Sequence, residues 1–352
     1  MRILSVVGAR PQFVKLAPVN DALAGRAEHV IVHTGQHYDE VMSDVFFRDL
    51  NIPTPNLNLA IGSSSHGVQT GAMLGSLERA FEEYVPDWVL VYGDTNSTLA
   101  AAIAGVKMHI PVAHLEAGLR SFNRRMPEEH NRVLTDHAAD LLLAPTRIAM
   151  DHLEREGLAD RSELVGDVMT DVLFRVRDGL VKNPVALFAD FEPGSYYVST
   201  IHRPDNTDFR GQLSAIMHGL SRLDRPVLLL AHPRLRASAR DLGVDLEQGA
   251  IRVVDPLPYP DLVSAVAKSA GVITDSGGLQ KEAFLLRVPC TTIRTETEWV
   301  ETVDLGWNVL VSTSVDELAS LVQRDAPEPT NATPYGDGHA ASRVVSRLLE
   351  QA

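Results

Sequence analysis

The chain has 352 residues, 45% hydrophobic and 22% charged, with a formal net charge of −14 from 32 Lys+Arg against 46 Asp+Glu. That balance excludes intrinsic disorder and argues against a general nucleic-acid binder, which would show a basic surface. One cysteine, Cys290, excludes an internal disulfide framework and a zinc cluster of cysteine ligands, and no apolar run reaches the ~18 residues of a membrane span.

At about 100–200 residues per domain, two domains are expected. Met1-Arg2 leads straight into a strand-like run, without the layout of a signal peptide. Residues 2–7 read as a buried strand and 11–23 as a helix with Pro11 in its first turn. Further strands are expected at 30–33, 88–92, 112–115 and 141–144, with helices at 68–84 and 98–106 between them. Residues 168–180 make a last helix, and then the alternation restarts. Strands at 196–200, 227–230, 251–254 and 272–274 are separated by helices at 209–223, 261–268 and 280–286. Cys290, in an apolar run, reads as a core residue. Strands alternating with helices imply parallel βαβ units. The expected architecture is therefore α/β: two doubly wound Rossmann-like domains, 1–167 and 168–335, with a loop and helix at 336–352 returning to the first. Such sheets bind ligands at the carboxyl ends of their strands, which places the expected active site in a cleft between the domains.

The chemistry-bearing residues all fall just after strands. Gly8 permits a tight turn, and Arg10 and Lys15 bring positive charge beside a helix N-terminus, a phosphate-friendly arrangement. It is neither a Walker loop nor a GxGxxG fingerprint. Asp94 stands on a Gly93 turn after an apolar strand, where it either serves chemistry or caps the next helix. Glu116, Arg120, Glu128, Glu129 and Arg132 crowd a strand end and the loop expected after it. Carboxylates among like charges exchange protons near neutral pH, and arginines beside them can grip a diphosphate. His202-Arg203 and His232-Pro233-Arg234 make two basic turns in the second half, suited to phosphate or to proton transfer. Ser276 reads as a helix N-cap, and Gly277 and Gly278 leave N–H groups open to a phosphate. Glu282 is placed to accept from ribose hydroxyls. The 13 histidines show no metal-binding spacing, so no metal is expected.

In order, GARPQFVKLAP, GQHYDEVM, VYGDTNSTLA, HLEAGLRS, PEEHNR, HRPDN, TDSGGLQKEA and PYGDG span nearly the whole chain. Together they resemble the non-hydrolysing UDP-N-acetylglucosamine 2-epimerase family. The resemblance implies the two-domain GT-B fold, no metal or nicotinamide cofactor, a UDP-sugar substrate and a homodimer, and the single cysteine fits a cytoplasmic setting. It implies interconversion of UDP-N-acetylglucosamine and UDP-N-acetylmannosamine at C2, by anti elimination of UDP, a 2-acetamidoglucal intermediate and re-addition. Asp94, Glu116, Glu128 and His202 match the family's catalytic positions. Arg10, Lys15, Arg132, His232, Ser276, Gly277, Gly278 and Glu282 match substrate-binding ones. The chain departs from the family's common pattern at Gln12, at Trp299, where an arginine helps hold the nucleotide, and at Asp205. The ARPQF and TEWVE forms resemble the branch acting on UDP-2,3-diacetamido-2,3-dideoxy-glucuronate. A hydrolysing 2-epimerase and a GT-B glycosyltransferase remain the competing readings.

Overall fold

The computed structural model describes residues 1–36, 54–182, 191–311 and 317–351, without the side chains of Arg10, Val181 and Lys182. Among them no helix is long and apolar enough to cross a membrane. The chain divides into two compact units, Met1–Phe174 with Thr333–Ala352, and Arg175–Ala332.

The first unit is built on a sheet of seven strands in the order β3-β2-β1-β4-β5-β6-β7. These are β1 (Arg2–Val7), β2 (Glu28–His33), β3 (Leu57–Asn58), β4 (Trp88–Tyr92), β5 (Val112–Leu115), β6 (Leu141–Ala144) and β7 (Ser162–Leu164). Every pairing is parallel. β1 shows why the strands form. Ile3 and Val7 face one apolar layer with Leu16, Leu23, Val344 and Leu348. Leu4 and Val6 face the other, with Met73, Leu77 and Ala104. A strand buried on both faces needs apolar side chains at even and odd positions alike, as a parallel sheet covered by helices demands. The C-terminal helix Ala340–Glu350 belongs to this unit. Asp171, on the helix Val168–Lys182, caps it by accepting from the N–H groups of Ala340 and Ala341 at 3.0 and 2.8 Å.

The second unit carries β8 (Tyr197–Thr200), β9 (Val227–Leu230), β10 (Ile251–Val254), β11 (Gly271–Thr274), β12 (Cys290–Thr292) and β13 (Asn308–Leu310). Their order is β10-β9-β8-β11-β12-β13, again parallel. Two parallel sheets clad in helices make the expected pair of Rossmann-like units, a GT-B-like α/β fold. Each sheet reverses its winding once, at β1/β4 and at β8/β11. Those switch points are where doubly wound sheets bind ligands. Cys290 lies in the core of this unit, its thiol pushed up to about 12 by burial.

Candidate active site

In the first unit the switch point gathers residues from two strand ends and two helices. The Lys15 ammonium lies against the Glu116 carboxylate, an ion pair across 101 positions of sequence. Burial alone would lower the Lys15 pKa. Glu116 and Asp94 outweigh it and hold the pKa above its usual value, so the ammonium stays charged. Arg132 Nη2 donates to Asp94 Oδ2 at 2.5 Å and Nη1 to Glu129 Oε2 at 3.1 Å. Gly93 makes the crowding possible. Its φ of +59° suits glycine, and a Cβ there would stand 3.2 Å from Glu116 Oε2 and 3.3 Å from Lys15 Nζ. Asp94, Glu116, Lys15 and Arg132 therefore form one cluster of alternating charge, each side chain less than a third exposed.

Asp94 is not the helix cap. Thr95 holds the N-cap of the helix Asn96–Lys107, its side chain accepting from Thr98 N at 3.3 Å. The Asp94 carboxylate is thus left to Arg132. Nor is PEEHNR a loop. Pro127 opens the helix Pro127–Ala138, its fixed φ suiting the first turn. Glu128 is exposed on that turn and makes no hydrogen bond or ion pair among the described residues. Its neighbour Glu129 is buried and accepts from Ser121 N, Ser121 Oγ and Phe122 N. Burial would raise its carboxyl, but Ser121, Phe122 and Arg132 hold it below the usual range. Glu129 therefore anchors the loop ahead of the helix, and Glu128 is the carboxylate left open.

Three polar residues outside the expected site residues fix the backbone here. Asn131 donates to Asp94 O at 2.9 Å. Gln12, at a departure from the family pattern, accepts from Gly8 N and Ala9 N at 2.8 and 3.0 Å. It donates to Tyr92 O at 2.8 Å and Thr98 Oγ1 at 3.0 Å. An amide satisfies both demands at once, donor to one turn and acceptor from the other. His114 donates to Gly93 O at 2.7 Å. Arg10 opens the helix Arg10–Leu23, with its side chain outside the described residues. Most of GQHYDEVM, His37 included, also lies outside them.

In the second unit the hub is Asp275, fully buried straight after β11. It accepts from His202 N, Arg203 N and Asn206 Nδ2, and its Oδ1 lies 2.9 Å from His202 Nδ1. Burial would raise its carboxyl, and the His202 and Arg203 groups bring it below the usual range. Among the described residues His202 Nε2 makes no hydrogen bond, on a ring 46% exposed. Ser276 stands at the N-cap of the helix Gly277–Leu285, but its hydroxyl makes no capping bond. The first N–H groups of that helix are therefore not closed by Ser276, and Gly278 faces open space. Glu282 accepts from Tyr259 OH at 2.9 Å, which orients its carboxylate. His232 caps the helix Pro233–Leu242, accepting from Arg234 N at 3.3 Å. Trp299 is a buried ring with Lys281 Nζ 4.3 Å from its centroid. The cation near this turn is thus carried on a tryptophan face rather than placed at position 299. Arg203, Asp205, Asn206 and Arg294 help line a cavity of about 260 Å³ beside Asp275.

Carboxylates and cations at one switch point, with a histidine and open helix N–H groups at the other, suit proton transfer on an anionic nucleotide derivative. The sequence profile of UDP-N-acetylglucosamine 2-epimerases matches residues 21–349. The chain belongs to that family. It is therefore an epimerase, an isomerase of the nucleotide-sugar class. It is 43% identical to the UDP-2,3-diacetamido-2,3-dideoxy-D-glucuronate 2-epimerase of Pseudomonas aeruginosa, over 99% of this chain and 100% of that one. It is 38% identical to the UDP-N-acetylglucosamine 2-epimerase of Methanocaldococcus jannaschii, over 99% of both. The crystal structure of the M. jannaschii UDP-GlcNAc 2-epimerase in complex with UDP-GlcNAc and UDP superposes with a TM-score of 0.85, at 37% identity and 100% coverage of both chains.

Proposed function

We propose that this epimerase inverts C2 of UDP-N-acetylglucosamine and UDP-N-acetylmannosamine, with the first unit working on the sugar and the second holding UDP. The observation that carries the reading is the Asp94–Arg132 and Lys15–Glu116 cluster around Gly93, two carboxylates held beside two cations at a switch point. One carboxylate takes the C2 proton while the C1–O bond breaks and UDP departs, leaving 2-acetamidoglucal. UDP then adds back to C1 as a proton is delivered to the opposite face of C2. Two faces require two proton-transfer groups, and Asp94, Glu116 and the open Glu128 supply the candidates. The cations and the exposed His202 offset the charge gathering on the departing diphosphate. Arg10, His232, Ser276, Gly277, Gly278 and Glu282 contribute to holding the nucleotide. The lone cysteine, buried and unpaired, fits a cytoplasmic setting. A homodimer follows from the family resemblance, and its mass in solution tests it.

Incubation of the pure protein with UDP-N-acetylglucosamine in D2O, followed by NMR, tests the reaction. Deuterium at C2 with formation of UDP-N-acetylmannosamine is the expected result. Free N-acetylmannosamine would instead mean hydrolysis, and transfer to an acceptor without exchange would mean a glycosyltransferase. A second substrate reading, UDP-2,3-diacetamido-2,3-dideoxy-glucuronate, is favoured by the 43% identity to the P. aeruginosa enzyme and by the Trp299 form. Exchange with that sugar alone would move the substrate assignment.

A further inference from the structure

His114 is fully buried on β5, two residues before Glu116. Both its ring nitrogens are engaged. Nε2 lies 2.7 Å from Gly93 O, and Nδ1 lies 2.6 Å from Asp136 Oδ1. A backbone carbonyl only accepts, so Nε2 carries a hydrogen. Asp136 is also fully buried, on the helix that bears Glu128 and Arg132. Its second oxygen already accepts from Arg120 Nη1 at 2.7 Å and Gly118 N at 3.1 Å. Burial alone would raise the Asp136 carboxyl, but His114 and Arg120 hold it below the usual range. An ionised carboxylate accepts, so Nδ1 carries a hydrogen too. Arg120 in turn forks onto Glu156 at 2.8 and 2.7 Å, which balances the buried charges.

We propose that His114 is a positioning residue of the epimerase: a buried ring donating from both nitrogens, which locks the Gly93–Asp94 turn to β5 and to the helix Pro127–Ala138. Gly93 is gripped twice, since its N–H also donates to Leu115 O at 3.0 Å. Asp94 follows directly, with its own carbonyl tied to Asn131 on the same helix. One chain of hydrogen bonds, Gly93–His114–Asp136–Arg120–Glu156, therefore sets where Asp94 stands relative to Glu116 and Arg132. The proposal rests on Asp94 and Glu116 acting as proton-transfer groups.

The test uses the full-length protein labelled with 15N-histidine. At neutral pH, the resonances lost in His114→Gln should show two protonated ring nitrogens in the unsubstituted protein. One protonated nitrogen overturns the proposal. In steady-state assays His114→Phe should lose about 100-fold in kcat, the scale of a 1 Å misplacement. KM for UDP-N-acetylglucosamine should stay within about twofold, since substrate binding is not its task. Asp136→Asn supplies the rescue. An amide can donate to Nδ1 and still accept from Arg120, leaving Nε2 bonded to Gly93, so kcat should stay within about fivefold of the parent. Equal losses in His114→Phe and Asp136→Asn would refute positioning through Gly93. If His114→Phe does not fold, the ring resonances of the unsubstituted protein and the Asp136→Asn rate still decide. Normal turnover in Asp94→Asn and Glu116→Gln would sink the assignment of those carboxylates, while the ring resonances report on His114 in either case.

Discussion

The first unit keeps both members of its histidine–aspartate pair inside, and the second buries the aspartate but leaves the histidine at the surface. His114 and Asp136 are both fully buried, and both ring nitrogens are spent on protein atoms. Asp275 is equally buried, but His202 is 46% exposed and, among the described residues, spends only Nδ1. Both aspartates accept several hydrogen bonds and are held below the usual carboxylate range. The difference lies at the far nitrogen. A ring with nothing left to offer can only hold its neighbours in place; a ring with Nε2 free can meet a substrate oxygen. The same contrast runs through the carboxylates on the helix Pro127–Ala138, where buried Glu129 anchors a loop and exposed Glu128 is left open.

The comparison can be broken by substitution, beginning with the largest effect. Asp94→Asn or Glu116→Gln should cut C2 exchange by about 10²–10⁴-fold, the usual contribution of a positioned acid or base. UDP affinity, read by calorimetry, should be retained. Turnover near that of the parent would show that the cluster around Gly93 is not the proton-transfer site. Asp275→Ala should unlatch the His202 turn, since it strips the acceptor from two backbone N–H groups and Asn206. Each buried donor left unmade costs about 1–3 kcal/mol, so denaturant midpoints should fall clearly and UDP binding with them. Gly277→Val sharpens the contrast in the other direction. A Cβ there would stand 2.3 Å from Glu298 Oε1, crowding the helix start. UDP should bind roughly tenfold more weakly, about 1.4 kcal/mol, while kcat at saturation changes less.

The smallest effect is on acid stability. Glu129, Asp136 and Asp275 all have native pKa values below those of unfolded carboxylates, near 4. Their contribution is then fully present above about pH 4 and is lost as pH falls through the native values. Chemical denaturation should show stability declining as pH falls below about 4, on top of the loss that begins near pH 6.5 from His29 and His33, whose pKa values burial lowers. In Asp275→Asn that decline should be shallower, because one of the three groups no longer titrates.

Much of this was legible in the sequence. The strands at 2–7, 88–92, 112–115 and 141–144 appear where apolar β-branched runs placed them, because a strand buried on both faces writes itself as a continuous apolar run. The helix Gly277–Leu285 was legible only in part, its first turn hidden under two glycines that disfavour helix in isolation. The motifs, their order and the family they mark are also properties of the sequence, since turn chemistry after a strand is local. What sequence could not decide is which side chain answers which. Whether Asp94 or Thr95 caps a helix, and whether Glu128 or Glu129 is the open carboxylate, turns on neighbours brought in by the fold. Lys15 meets Glu116 only because β1 lies beside β4 and β4 beside β5. The roles of His114 and Asp275 were hidden for the same reason. Hydrogen-bond partners at a switch point come from strands adjacent in space and distant in sequence, so strand order, not local pattern, assigns them.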